Sequence, residues 1–217
     1  EQKKSLTLLE QRKKLAGQKK KKAKKQNLKV ISPSDTELKI LLEHYQNGRH
    51  SNAEELAISI TEQFPKHQFA WKVLGAVLKQ TGRVRESLVA SQQSVQLAPQ
   101  DEEAHSNLGV TLKELGRLDE AEACYKQALA LKTDFSDAHC NLGNTLQELG
   151  KLDEAIASYK QAIVLEPDYA EAHCNLGNTL HEQGRLDEAE ASYTQAIALK
   201  SDYAEAHSNL GNTLKEL

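Results

Sequence analysis

Asn recurs at fixed intervals in this chain. Asn107, Asn141, Asn175 and Asn209 stand 34 residues apart, and Asn144, Asn178 and Asn212 form a second series with the same step. Asn is a middling helix former, so seven of them in helical sequence are not there for propensity. A carboxamide is both donor and acceptor. A row of carboxamides can therefore pair with the backbone of an extended peptide without reading its side chains. Tandem copying of one unit would also repeat its Asn, ligand or no ligand. Lys113, Gln147, His181 and Lys215 form a third series on the same face, placed to tune which peptide is taken.

Other chemistry finds less support. His139–Cys140 and His173–Cys174 repeat at the same step, with the cysteines expected on neighbouring helices of one face. Zinc needs four ligands converging at about 2.0–2.3 Å, whereas packed helix axes lie about 8–10 Å apart. Adjacent His and Cys also point to different faces, so no metal is expected and the His are read as packing groups between units. There is no Gly-rich phosphate loop, no HExxH, and no Ser or Cys beside a base, so neither catalysis nor a cofactor is expected. The carboxylates Glu114, Glu148 and Glu182 read as a solvated row. With Asp137, Glu171 and Glu205 they make the face acidic, which favours cationic ligands over nucleic acid.

These residues are positioned by a unit whose clearest copy is Ser136–Tyr169, with starts at Ser34, Gln68, Glu102, Ser136, Ala170 and Ala204. A fixed period in the 20–50 range marks a stacked array. Gly48, Gly82, Gly116, Gly150 and Gly184 fall at the fifteenth place, and Gly75, Gly109, Gly143, Gly177 and Gly211 at the eighth. Ala138, Leu142, Gly143, Leu146 and Leu149 line one face of a first helix at three- and four-residue spacing. Gly150 suits a left-handed C-terminal cap. Leu152, Ala155, Tyr159, Ala162 and Leu165 line a second helix that Pro167 ends. Gly inside a helix costs about 1 kcal/mol against Ala, so Gly143 implies close packing, with Ala155 and Ala162 across from it. Asn141 and Asn144 fall on the opposite face, with no packing duty visible in the sequence.

In these residues the unit resembles the tetratricopeptide repeat. Leu142, Gly143, Gly150, Ala155, Tyr159, Ala162 and Pro167 stand where that family's signature stands. The resemblance covers 34–217 and implies an all-α, right-handed α-solenoid of five complete helix–turn–helix units (34–67, 68–101, 102–135, 136–169, 170–203) and a half repeat (204–217). First helices would line the concave face. At the fourth position, where an aromatic is common, the chain has Trp71 and then His105, His139, His173 and His207. The AHxNLGNTL phrases look most like the arrays preceding catalytic domains in O-linked N-acetylglucosamine transferases and related bacterial repeat proteins. There an Asn ladder holds substrate peptides, and Asn107, Asn141, Asn175 and Asn209 match it. A different mode of the family grips a C-terminal carboxylate with Lys and Asn. Lys72 and Asn107 suit it, but Ala76 and Asp137 do not.

Charge separates the array from what precedes it. Residues 1–30 hold eleven Lys and Arg12 against Glu1 and Glu10, a balance of +10, so a net charge of −3 leaves −13 for the rest. A basic leader, 1–33, is expected to be mobile, with Lys19–Lys25 a weak site for polyanions. Three cysteines make no disulfide framework, so a reducing, cytoplasmic setting is expected. No apolar run approaches the roughly 18 residues of a membrane span. The absence of Met and the stop within a unit suggest a piece of a longer protein. The expected function is a protein-interaction scaffold taking a partner peptide along the groove. The alternatives are the substrate-recruiting arm of a larger transferase, and self-assembly through Leu210, Leu214 and Leu217.

Overall fold

The computed structural model describes residues 32–217. Expectations for the basic stretch Lys19–Lys25 lie outside the described residues. Ser34–Leu217 forms one compact unit. It contains α1 (Asp35–Gln46), α2 (His50–Gln63), α3 (Gln68–Gln80), α4 (Val84–Leu97), α5 (Glu102–Glu114) and α6 (Leu118–Leu131). It continues with α7 (Ser136–Glu148), α8 (Leu152–Leu165), α9 (Ala170–Glu182), α10 (Leu186–Leu199) and α11 (Ala204–Glu216). No strand occurs among the described residues, and none of their helices is long and apolar enough to cross a membrane.

The turn within each unit is built by its fifteenth residue. Gly150 sits at φ +72°, and Gly48, Gly82, Gly116 and Gly184 at +67° to +75°. Around it Gly150 N–H donates to the Gln147 carbonyl and Lys151 N–H to the Leu146 carbonyl, each at 2.9 Å. This is the paired bonding that satisfies a helix's last carbonyls and needs a left-handed residue between them. Five sharp turns of one geometry give five antiparallel pairs.

Pairing within a unit depends on the eighth residue. A Cβ on Gly143 would lie 2.6 Å from Tyr159 Cε1, and Gly109 and Gly177 stand as close to Tyr125 and Tyr193. The group opposite Gly143 is thus the Tyr159 ring rather than Ala155 or Ala162. The three tyrosines are fully buried or nearly so. In the first unit the sizes are exchanged: Leu41 holds the eighth position and Ala57 the twenty-fourth, both fully buried.

Units stack because each first helix also packs on the first helix of the next, α1 on α3, α3 on α5 and so through α9 on α11. No comparable contact joins successive second helices among the described residues. Closer packing on one side bends the stack toward it, so the first helices line the concave surface. The core falls into two clusters, Leu41 to Ala90 and Leu108 to Ala206. Between them runs a seam of small hydroxyls: Ser87 Oγ donates to the Gly75 carbonyl at 2.8 Å and meets Thr111 Oγ1 at 3.2 Å.

Candidate functional site

The fourth position fastens one unit to the turn before it. Trp71 Nε1 donates to the Pro65 carbonyl at 2.9 Å. The Nε2 atoms of His105, His139, His173 and His207 stand 2.9–3.0 Å from the carbonyls of Pro99, Thr133, Pro167 and Ser201. Each ring reaches six residues back, so imidazole replaces indole without losing the bond.

The concave face carries the second, sixth, ninth and twelfth positions of the first helices. Four of the seven Asn bond within the array, which corrects the expectation that Asn144 has no packing duty. Asn144 Oδ1 accepts from Tyr159 Oη at 2.7 Å and from Asn175 Nδ2 at 2.9 Å. Asn178 Oδ1 accepts from Tyr193 Oη at 2.8 Å and from Asn209 Nδ2 at 2.8 Å. Each therefore ties its own second helix to the following first helix. Asn107 and Asn141 differ, for no hydrogen bond to either carboxamide occurs among the described residues. Their backbone carbonyls also accept the Thr111 and Thr145 hydroxyls, and both Asn line a groove cavity. Asn212 lines a smaller depression beside Asn178 and Asn209.

The twelfth position also binds within the array. Lys113 Nζ is 2.9 Å from Glu148, Gln147 Nε2 donates to Glu182 at 3.2 Å, and His181 Nε2 is 3.4 Å from Glu216. Each lies against the thirteenth residue of the next unit; Lys113 and Gln147 thereby tie neighbouring units as well as edging the groove, while His181 Nε2 makes no hydrogen bond among the described residues. Lys215, in the last helix, is exposed.

Lys72 meets Asp101 at 3.0 Å and Glu103 at 2.7 Å, and those partners raise its pKa despite the opposing effect of burial. A lysine held between two carboxylates, with Asp137 further along, is a poor receptor for a carboxylate terminus. Cys140 and Cys174, expected on the concave face, are fully buried in the core instead. Burial pushes both thiols up to about 11. No cluster of three metal-ligating side chains occurs among the described residues. At the end of the array Leu214 and Leu217 are exposed, while Leu210 packs against the core.

Sequence reasoning placed the Asn on one face but missed their partners, Tyr159 and Tyr193. It also missed the apolar wall of Phe69, Val73, Val110 and Phe135. A signal existed in the register: the fourth and fifth units pair Asn at nine with Tyr at twenty-four, whereas the third pairs Val110 with Tyr125.

Among curated proteins no match is found. A family model described as a TPR repeat matches residues 111–150, 143–184 and 177–217. Among solved structures, a MamA protein superposes with a TM-score of 0.67 at 22% identity, over 78% of this chain and 93% of the other. YrrB, described as a TPR protein with an unusual peptide-binding site, gives 0.68 at 18% identity over 85% and 93%. TTC0263, a thermophilic TPR protein of Thermus thermophilus, gives 0.65 at 25% identity over 83% and 98%. The narrower likeness to transferase arrays rests on the AHxNLGNTL phrases alone. Repeat model, helix order and superposition agree, and the chain is a tetratricopeptide-repeat protein with the right-handed α-solenoid fold of that family.

Proposed function

We propose that the array is an interaction module that holds an extended segment of a partner protein along its concave groove. One observation carries this reading: the carboxamides of Asn107 and Asn141 face the groove and make no hydrogen bond among the described residues. A polar group at the edge of a core is normally satisfied by the protein or by water. Two of them one unit apart offer donors and acceptors to a backbone laid across both helices. The peptide-binding site named for YrrB lends the same reading to a related fold.

The test begins with peptides selected from a random library against the wild-type array. Replacing Asn107, Asn141, Asn175 and Asn209 together by Ala should weaken the best peptide at least about tenfold, about 1.4 kcal/mol. A charge on the convex side, Val164→Lys, should leave affinity alone, since Val164 is exposed there. Full affinity in the fourfold variant, with its helical circular dichroism intact, would overturn the groove reading.

A further inference from the structure

Along the concave face the ninth position changes character, from Leu42, Ala76 and Val110 in the first three units to Asn144, Asn178 and Asn212 in the last three. The sixth position changes one unit earlier, between Val73 and Asn107. The two changes are out of step, which leaves the third unit with Asn107 at six and Val110 at nine. In the fourth and fifth units the ninth-position Asn is the acceptor shared by the buried tyrosine hydroxyl and the next unit's Asn. Val110 offers no acceptor. Two groups consequently lack a hydrogen bond among the described residues: the fully buried hydroxyl of Tyr125 and the groove-facing carboxamide of Asn141. Asn107 has no partner among the described residues for the same reason, because Ala76 precedes it.

The carboxamides of Asn107 and Asn141 open onto one cavity of about 400 Å³. Its wall is apolar where Leu42, Phe69, Val73, Val110 and Phe135 meet. Lys72, the one basic side chain lining it among the described residues, is held by Asp101 and Glu103. Asp137 on the same wall has no basic partner among the described residues and takes only the Tyr169 hydroxyl, at 3.1 Å. The cavity therefore combines an apolar slot, these two carboxamides and an uncompensated carboxylate. A helical ligand has its backbone bonded internally and could not use the carboxamides, whereas an extended one presents free N–H and C=O groups.

We propose that this junction, and not the Asn-rich half, is where the groove reads its partner. An extended basic segment seats a large apolar side chain between Phe69 and Val110, pairs its backbone with Asn107 and Asn141, and sets a Lys or Arg against Asp137. The proposal rests on the groove reading above and narrows it to a place and a chemistry. In the Asn-rich half one end of each pairing is spent, since Asn144 and Asn178 serve Tyr159 and Tyr193, and Asn175 and Asn209 donate to them.

The probe is a short fluorescein-labelled peptide of Lys, Ser and Thr with a single central Phe. Two controls carry Ser for Phe, or Glu for every Lys. Anisotropy should show the Phe–Lys peptide binding at least about tenfold more tightly than either control. Val110→Asn supplies the missing acceptor to Tyr125 and Asn141, so it should weaken the Phe–Lys peptide about tenfold while leaving the thermal midpoint no lower than wild type. Asn107→Ala with Asn141→Ala should weaken it as much, and Asn175→Ala with Asn209→Ala little. Loss of binding only in the Asn175 and Asn209 variant would overturn the junction and leave groove binding standing. Equal binding of all three peptides, or of none, would overturn the proposed chemistry, and the selected peptides would then judge the groove by themselves.

Discussion

Asn141 and Asn144 lie one turn apart on α7, share the concave face, and have unlike duties. Asn144 holds the hydroxyl of a fully buried tyrosine, and the Asn141 carboxamide makes no hydrogen bond among the described residues. Truncating Asn144 leaves Tyr159 Oη only its longer bond, to Gln147 Oε1 at 3.3 Å, and losing the better of two hydrogen bonds to a buried hydroxyl costs about 1 kcal/mol. Asn144→Ala should accordingly lose that much in urea denaturation, whereas Asn141→Ala should stay within about 0.5 kcal/mol of wild type. Equal losses in the two variants would mean that the Tyr159–Asn144 bond contributes nothing. This division was not legible from helical spacing, which puts both residues on one face. It is decided by a hydroxyl fifteen residues away in sequence, Tyr159, and by whether the preceding unit offers an acceptor.

The helix pair was far more legible than the site, because its constraints are local. Gly150 announces the turn through a conformation that other residues enter at a cost of about 1–2 kcal/mol, and Pro167 ends α8 two residues after Leu165. Gly143 announced close packing, though not against what: the contact is aromatic, with Tyr159 at 2.6 Å from a hypothetical Cβ. Gly143→Leu should therefore destabilise the array by about 1–3 kcal/mol through overpacking. The first unit shows the remedy, since Leu41 and Ala57 occupy the same two positions with their sizes exchanged. Adding Tyr159→Ala to Gly143→Leu should recover part of the loss, so that the double variant is more stable than the two single effects summed. Strict additivity in that cycle would show that the eighth and twenty-fourth positions do not share one space.

Over the whole array, stability is set by interfaces between neighbours, and those interfaces alternate. The sixteenth residue of one unit faces the twenty-first of the unit before. Arg83 meets Glu54 at 2.7 Å, and Lys151 meets Glu122 at 2.8 Å. At the intervening interfaces the twenty-first residue is apolar: Leu88, packed on the second core cluster, and Ile156, buried. The Lys151–Glu122 interface should respond to acid. Glu122 is held below its ordinary 4.5 chiefly by the hydrogen bond from Lys126, and then by that from Lys151. A depressed folded-state pKa adds stability above the unfolded value, and that share is lost as pH falls through the folded one. The array should thus loosen below about pH 4.5 where the third unit meets the fourth. Glu122→Ile copies the chain's own solution at Ile156, and exchanging an ion pair for apolar packing is often neutral or stabilising. That variant should match wild type in urea at neutral pH and lose less of its stability in acid. An undiminished acid loss would place the sensitivity outside this pair.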